Sequence, residues 1–125
     1  MKKALATPNA PAAIGPYSQA IEIDSLIFTS GQIPLDPKTG TMPETIEECT
    51  RQSLENIKDI LESAGSDMSK VIKTVVFLED INDFAAMNSV YAQYFTEGAL
   101  PARSAVQVAK LPKGAKVEIE AIAHK

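Results

Sequence analysis

The run from Lys70 to Glu79 limits what this chain can fold into more than any other segment. It is the most β-favouring stretch of the sequence, rich in Val, Ile and Phe. Period-two alternation puts Val71, Val75 and Phe77 on one face and Ile72, Val76 and Leu78 on the other, so both faces are apolar. Such a strand needs cover on two sides. Helices from the same chain can supply one side. A partner subunit is the economical source of the other, since most soluble oligomers are symmetric assemblies of one chain. An oligomer is therefore expected.

The remaining segments supply a sheet and two helices. Lys2 to Ala6, Tyr17 to Ile23 and Leu26 to Ile33 read as strands, with Asp24-Ser25 as a two-residue turn between the second and third. From Glu44 to Ala64, Ile46, Cys49, Leu54, Ile57, Ile60, Leu61 and Ala64 recur at three- and four-residue steps, and Gly65 marks a C-terminal stop. A second helix is expected from about Asn82 to Thr96, capped by Asp80 or Asn82 and ended by Gly98 and Pro101. Arg103 to Lys110 and Lys116 to Ala123 alternate around Leu111 to Gly114, which predicts a terminal hairpin. The order is βββαβαββ: an α+β fold, a mixed sheet with two helices on one face, in a single domain spanning residues 1–125.

Composition excludes several function classes. The 125 residues carry 12 basic and 16 acidic side chains, a net charge of −4, and no basic cluster beyond Lys2-Lys3, so nucleic acid is not an expected partner. One cysteine and one histidine are too few for a structural zinc site, and a lone cysteine forms no internal disulfide. The apolar stretch after Lys3 stops at Pro8, too short for a signal peptide, and no run approaches the roughly 18 residues of a membrane span. A soluble cytoplasmic protein without a membrane partner is the expectation.

Few residues are equipped for chemistry. Arg103 stands at the head of a strand, with Ala105 and Gln107 on the same side. Its planar fork suits a carboxylate, although an exposed ion pair at a strand end is the simpler account from composition alone. Arg51 lies off the apolar face of the first helix and reads as solvated. Glu118 and Glu120 share a face of the last strand with Ile122, opposite a fully apolar face of Val117, Ile119, Ala121 and Ala123. The spacing does not say whether either carboxylate is buried. Gly31, after Ser30, would let a ligand approach the backbone; a turn or bulge glycine is an equal account. Cys49 falls on the buried helical stripe as a core thiol, and His124 is too near the end of the chain to be a dependable base. There is no Gly-rich phosphate loop, nucleophile elbow or metal-ligand cluster, so neither a metal nor a cofactor is expected.

Five blocks carry a resemblance. Ala12 to Ala20 (AAIGPYSQA), Thr29 to Pro34 (TSGQIP), Asn88 to Tyr91 (NSVY), Pro101 to Val106 (PARSAV) and Leu111 to Glu120 (LPKGAKVEIE) resemble the signatures of the RidA (YjgF) family, in the family's order and over nearly the whole chain. The resemblance implies a chorismate-mutase-like fold assembled as a homotrimer with clefts between subunits. It also implies a cofactor-independent 2-iminobutanoate/2-iminopropanoate deaminase, which hydrolyses enamine/imine products of pyridoxal-phosphate-dependent dehydratases to 2-keto acids and ammonia. By the same resemblance Arg103 holds the substrate carboxylate, Glu118 directs the attacking water and Tyr17 supplies orienting hydrogen bonds. Ser30, Gly31, Asn88 and Ala105 line the cleft. The Ala105 position is often Cys in the family, so a thiol-dependent step is excluded here, while the Ala105 backbone carbonyl remains available to hold water.

The predicted terminal hairpin adds a geometric expectation. With Leu111 opposite Lys116, Ala109 faces Glu118 and Arg103 lies six residues further along, roughly 20 Å away. Arg103 and Glu118 would then meet only across an interface. The rival readings are a non-catalytic module that binds keto acids or other carboxylates, and the family's older label of endoribonuclease or translation initiation inhibitor.

Overall fold

A computed structural model describes the chain from Met1 to Lys125. Its strands are β1 (Lys3–Leu5), β2 (Ala20–Ile23), β3 (Leu26–Thr29), β4 (Val71–Leu78), β5 (Ala102–Gln107) and β6 (Val117–His124); its helices are α1 (Ile46–Ser63) and α2 (Phe84–Tyr91). They follow the expected order βββαβαββ and form one six-stranded mixed sheet, β1-β2-β3-β6-β4-β5, in which only the β4/β5 pair is parallel. Both helices pack on one face, where Leu54, Ile57, Ile60, Leu61 and Met87 meet Ile27, Val76, Leu78, Val117 and Ile119.

Local chemistry accounts for the element ends. Thr45 caps α1 by accepting a hydrogen bond from the Glu48 amide, and Glu47 and Glu48 place negative charge in the first turn. At the other end Gly65 takes φ +81°, its amide bonding Glu62 and that of Ser66 bonding Leu61, a Schellman stop. Asp24 supplies the positive φ of 52° that the two-residue β2–β3 turn requires, in a pair that lacks glycine.

Four expectations need correction. The two terminal strands do not form a hairpin: β5 pairs with β4, and β6 lies between β3 and β4. Burial explains the choice, because Val117, Ile119, Ala121 and Ala123 need a central strand, whereas the polar β5 tolerates an edge. A bulge between Val71 and Lys73 turns Val71 to the helix side with Thr74, Val76 and Leu78, leaving Val75 and Phe77 on the open face. The second helix is shorter than its periodicity suggests: α2 ends at Tyr91, leaving Tyr94 and Phe95 beyond it. Asp80 caps a 3-10 turn at Ile81–Asp83 that leads into α2. Finally, three strands are shorter than expected: β2 begins at Ala20, not Tyr17, β3 ends at Thr29, not Ile33, and β5 ends at Gln107, not Lys110. No helix is long and apolar enough to cross a membrane.

Candidate functional site

The candidate residues fall into two clusters on opposite faces of the sheet. In the first, Gln32 exchanges both backbone hydrogen bonds with Ile119, at 2.8 and 3.1 Å, which lays the segment after β3 along β6. That contact sets Gly31 against Glu118. A Cβ on Gly31 would fall 2.6 Å from Glu118 Oε1, so the carboxylate occupies the space a side chain would take. Burial, and then the charge of Glu120, push the Glu118 pKa above the ordinary carboxylate range. Tyr17 is half exposed and lines, with Gly31, Ile14, Ile33 and Lys113, a surface cleft of about 180 Å³.

The loop bearing Tyr17 is firmly held. The Ser30 hydroxyl donates to the Ser18 carbonyl at 2.6 Å, and the Ser30 amide donates to the Gln19 carbonyl at 2.9 Å. Buried Gln19 accepts from the Thr7 amide at 2.7 Å and donates to the carbonyls of Thr7, Ala10 and Pro11. Ser30 therefore braces the loop and has its hydroxyl proton committed to it.

The second cluster surrounds Arg103. Its Nη1 donates to Asn88 Oδ1 at 2.6 Å, and its Cζ lies 4.7 Å from the Tyr91 ring centroid and 5.4 Å from that of Phe84. The guanidinium rests on α2 by one hydrogen bond and two cation–π contacts. Ala105 lies two residues on, opposite Val76, and its side chain packs against the core. Val108 donates to Leu78 O, which sets the phase of the parallel ladder. The amides and carbonyls of Arg103 and Ala105 therefore point to the open edge of the sheet.

One chain does not bring the clusters together. Arg103 is opposite Thr74, which faces the helices, and Glu118 is opposite Phe77, which faces away from them. Two strand spacings and three residues separate their backbones, about 14 Å. The 20 Å hairpin estimate is overturned with the hairpin itself. The guanidinium and carboxylate still do not meet within a chain, because the sheet stands between them.

The other titratable candidates are accounted for. Arg51 donates to exposed Gln93 Oε1, His124 is exposed, and burial raises the Cys49 thiol pKa while its Sγ donates to the Pro43 carbonyl. No cluster of His, Cys, Asp or Glu is arranged to hold a metal ion. Sequence reasoning overlooked the supporting residues Gln19, Asn56, Thr74 and Tyr91. Asn56 donates to the Ile33 and Leu35 carbonyls, tying α1 to the segment after Gly31. A buried amide in the apolar stripe of a helix was the available signal.

A mixed sheet with two helices on one face, a cradled arginine at one edge and a half-buried carboxylate set over a glycine define a small α+β protein with a two-part carboxylate and guanidinium site. The family model described as Endoribonuclease L-PSP matches residues 7–125. A Salmonella typhimurium protein named 2-iminobutanoate/2-iminopropanoate deaminase is 55% identical over 125 residues, covering 98% of each chain. The crystal structure of the YjgF gene product from E. coli is 53% identical, with a TM-score of 0.95 over 98% of each chain. That of E. coli TdcF with bound serine is 50% identical, with the same TM-score and coverage. The chain belongs to the RidA (YjgF) family.

Proposed function

We propose that this chain is a 2-iminobutanoate/2-iminopropanoate deaminase, a cytoplasmic enzyme that hydrolyses reactive imines to 2-keto acids and ammonia without a cofactor. The observation that carries the reading is Glu118 itself: a half-buried carboxylate of raised pKa, set over a glycine in a chain 55% identical to a protein of that name. The substrate is a small 2-imino acid. Its carboxylate is gripped by Arg103, whose fork is already held by Asn88 and two rings. Protonated at nitrogen, its imino carbon is electrophilic. Glu118 takes a proton from a water as the oxygen bonds to that carbon and the C=N pair passes to nitrogen; it then returns the proton to the carbinolamine nitrogen, the C–N bond breaks as C=O forms, and the hydroxyl proton leaves with the ammonia as ammonium. Tyr17 orients the adduct, and the edge-facing Ala105 carbonyl helps to hold the water. Fixing water and imine together is worth on the order of 7–11 kcal/mol in favourable cases.

Arg103 and Glu118 lie on opposite faces of one chain, so the working cleft joins Arg103 of one copy to Glu118 of the next, in a homotrimer with three such clefts. The open sheet face supports this, since Phe28, Val75, Phe77 and Ile122 lie on it without cover from the helices. The endoribonuclease reading rests on names alone, that of the family model and those of some solved relatives, and the net charge of −4 weighs against it.

The test is a coupled assay in which a threonine dehydratase generates 2-iminobutanoate. Catalytic amounts of the protein are expected to shorten the imine lifetime and speed 2-oxobutanoate appearance. No acceleration at stoichiometric levels would leave a carboxylate-binding module as the better reading.

A further inference from the structure

We propose that Tyr91, anchored by Thr74, is a positioning residue that pre-sets the Arg103 guanidinium for a carboxylate; this rests on Arg103 being the carboxylate clamp. Arg103 starts from an edge strand and is only half buried, so its long side chain would otherwise sample many rotamers. Phe84, Asn88 and Tyr91 recur at i, i+4 and i+7 on α2, which puts two rings and one amide on the face turned toward it. The nearer ring is Tyr91.

The Tyr91 ring is itself fixed from below. Its hydroxyl lies 2.7 Å from Thr74 Oγ1, a buried contact, and Thr74 is only 1% exposed. Thr74 is also the direct neighbour of Arg103 in the β4/β5 pairing. The strand that carries the arginine and the helix that cradles it are therefore locked to one side chain. Burial raises the Tyr91 pKa, so the ring stays neutral under its cation. A phenylalanine would keep the cation–π face and lose the anchor. A guanidinium ordered before binding loses less conformational freedom on gripping its ligand.

The test measures 2-oxobutanoate binding by calorimetry, and kcat and KM in the coupled assay, on the full chain. Tyr91→Leu is expected to weaken binding by about 5- to 30-fold, with the loss in KM and not in kcat. Tyr91→Phe and Thr74→Val are each expected to weaken it by about 2- to 5-fold, and by no more when combined, because they remove the same hydrogen bond. In an Arg103→Ala background, Tyr91→Leu should leave the residual kcat/KM unchanged. A folded Tyr91→Leu that binds like wild type, or that lowers kcat/KM by the same factor without Arg103, overturns the proposal. If Tyr91→Leu does not fold, wild-type binding by both Tyr91→Phe and Thr74→Val overturns it. Equal binding by wild type and Arg103→Ala would instead remove the clamp reading, and this inference with it.

Discussion

At the scale of single residues, Glu118 combines a functional demand with a cost to stability. Burial and the charge of Glu120 raise its pKa, so the folded chain holds this proton more tightly than the unfolded chain does. Stability linked to this group is fully present below the ordinary carboxylate value of about 4.3 and is lost as pH rises through the raised folded value. Glu118→Gln is therefore expected to be at least as stable as wild type at neutral pH, with the difference closing on acidification; thermal melts across pH check this. The same substitution should lower kcat by about 10²- to 10³-fold while 2-oxobutanoate still binds. In the wild type, kcat should fall with acidification through a pKa above the ordinary carboxylate range.

Gly31 makes a second residue-scale prediction. Its φ lies outside the left-handed region, so alanine meets no backbone objection there, but its Cβ would displace the Glu118 carboxylate. Gly31→Ala should cost at most about 1 kcal/mol of stability, because the flexible end of a glutamate can swing away. Its kcat should drop by about 10- to 100-fold, because a carboxylate misplaced by an ångström no longer aims the water. Denaturant melts beside the coupled assay separate the two effects.

At the scale of elements, the sequence spoke clearly where a segment's own residues decide the outcome. The apolar repeat of α1 and its glycine stop, and the alternation of β6, follow from local pattern. Pairing does not. The neighbour of β5 depends on which strand most needs burial, and the apolar β6 face wins the centre of the sheet over the nearer hairpin partner. The Val71 bulge and the early end of α2 likewise answer to tertiary packing. The site was legible as residue types in family-like blocks, whereas its division between two faces required the strand order. The supports were the least legible part, since Asn56 and Thr74 look unremarkable in a linear sequence. Asn56→Ala should cost about 2–3 kcal/mol, because it strips the Ile33 and Leu35 carbonyls of their donor. The accompanying loss of activity should exceed the loss of folded protein, since the freed segment follows directly on Gly31 and Gln32; urea melts and specific activity measured together check this.

At the scale of the whole molecule, the apolar strand and the divided site point the same way. A sheet that packs helices on one face, exposes Phe28 on the other and keeps its guanidinium and carboxylate apart would, in the proposed trimer, supply one side of each of two clefts. The most direct measurement is complementation between two inactive chains. Arg103→Ala and Glu118→Gln are co-expressed with different tags, the mixed assemblies are purified through both, and imine hydrolysis is assayed. If each cleft takes Arg103 from one subunit and Glu118 from the next, every mixed trimer contains one intact cleft of its three and should recover about a third of wild-type activity. Mixed assemblies as inactive as either parent would contradict the shared cleft.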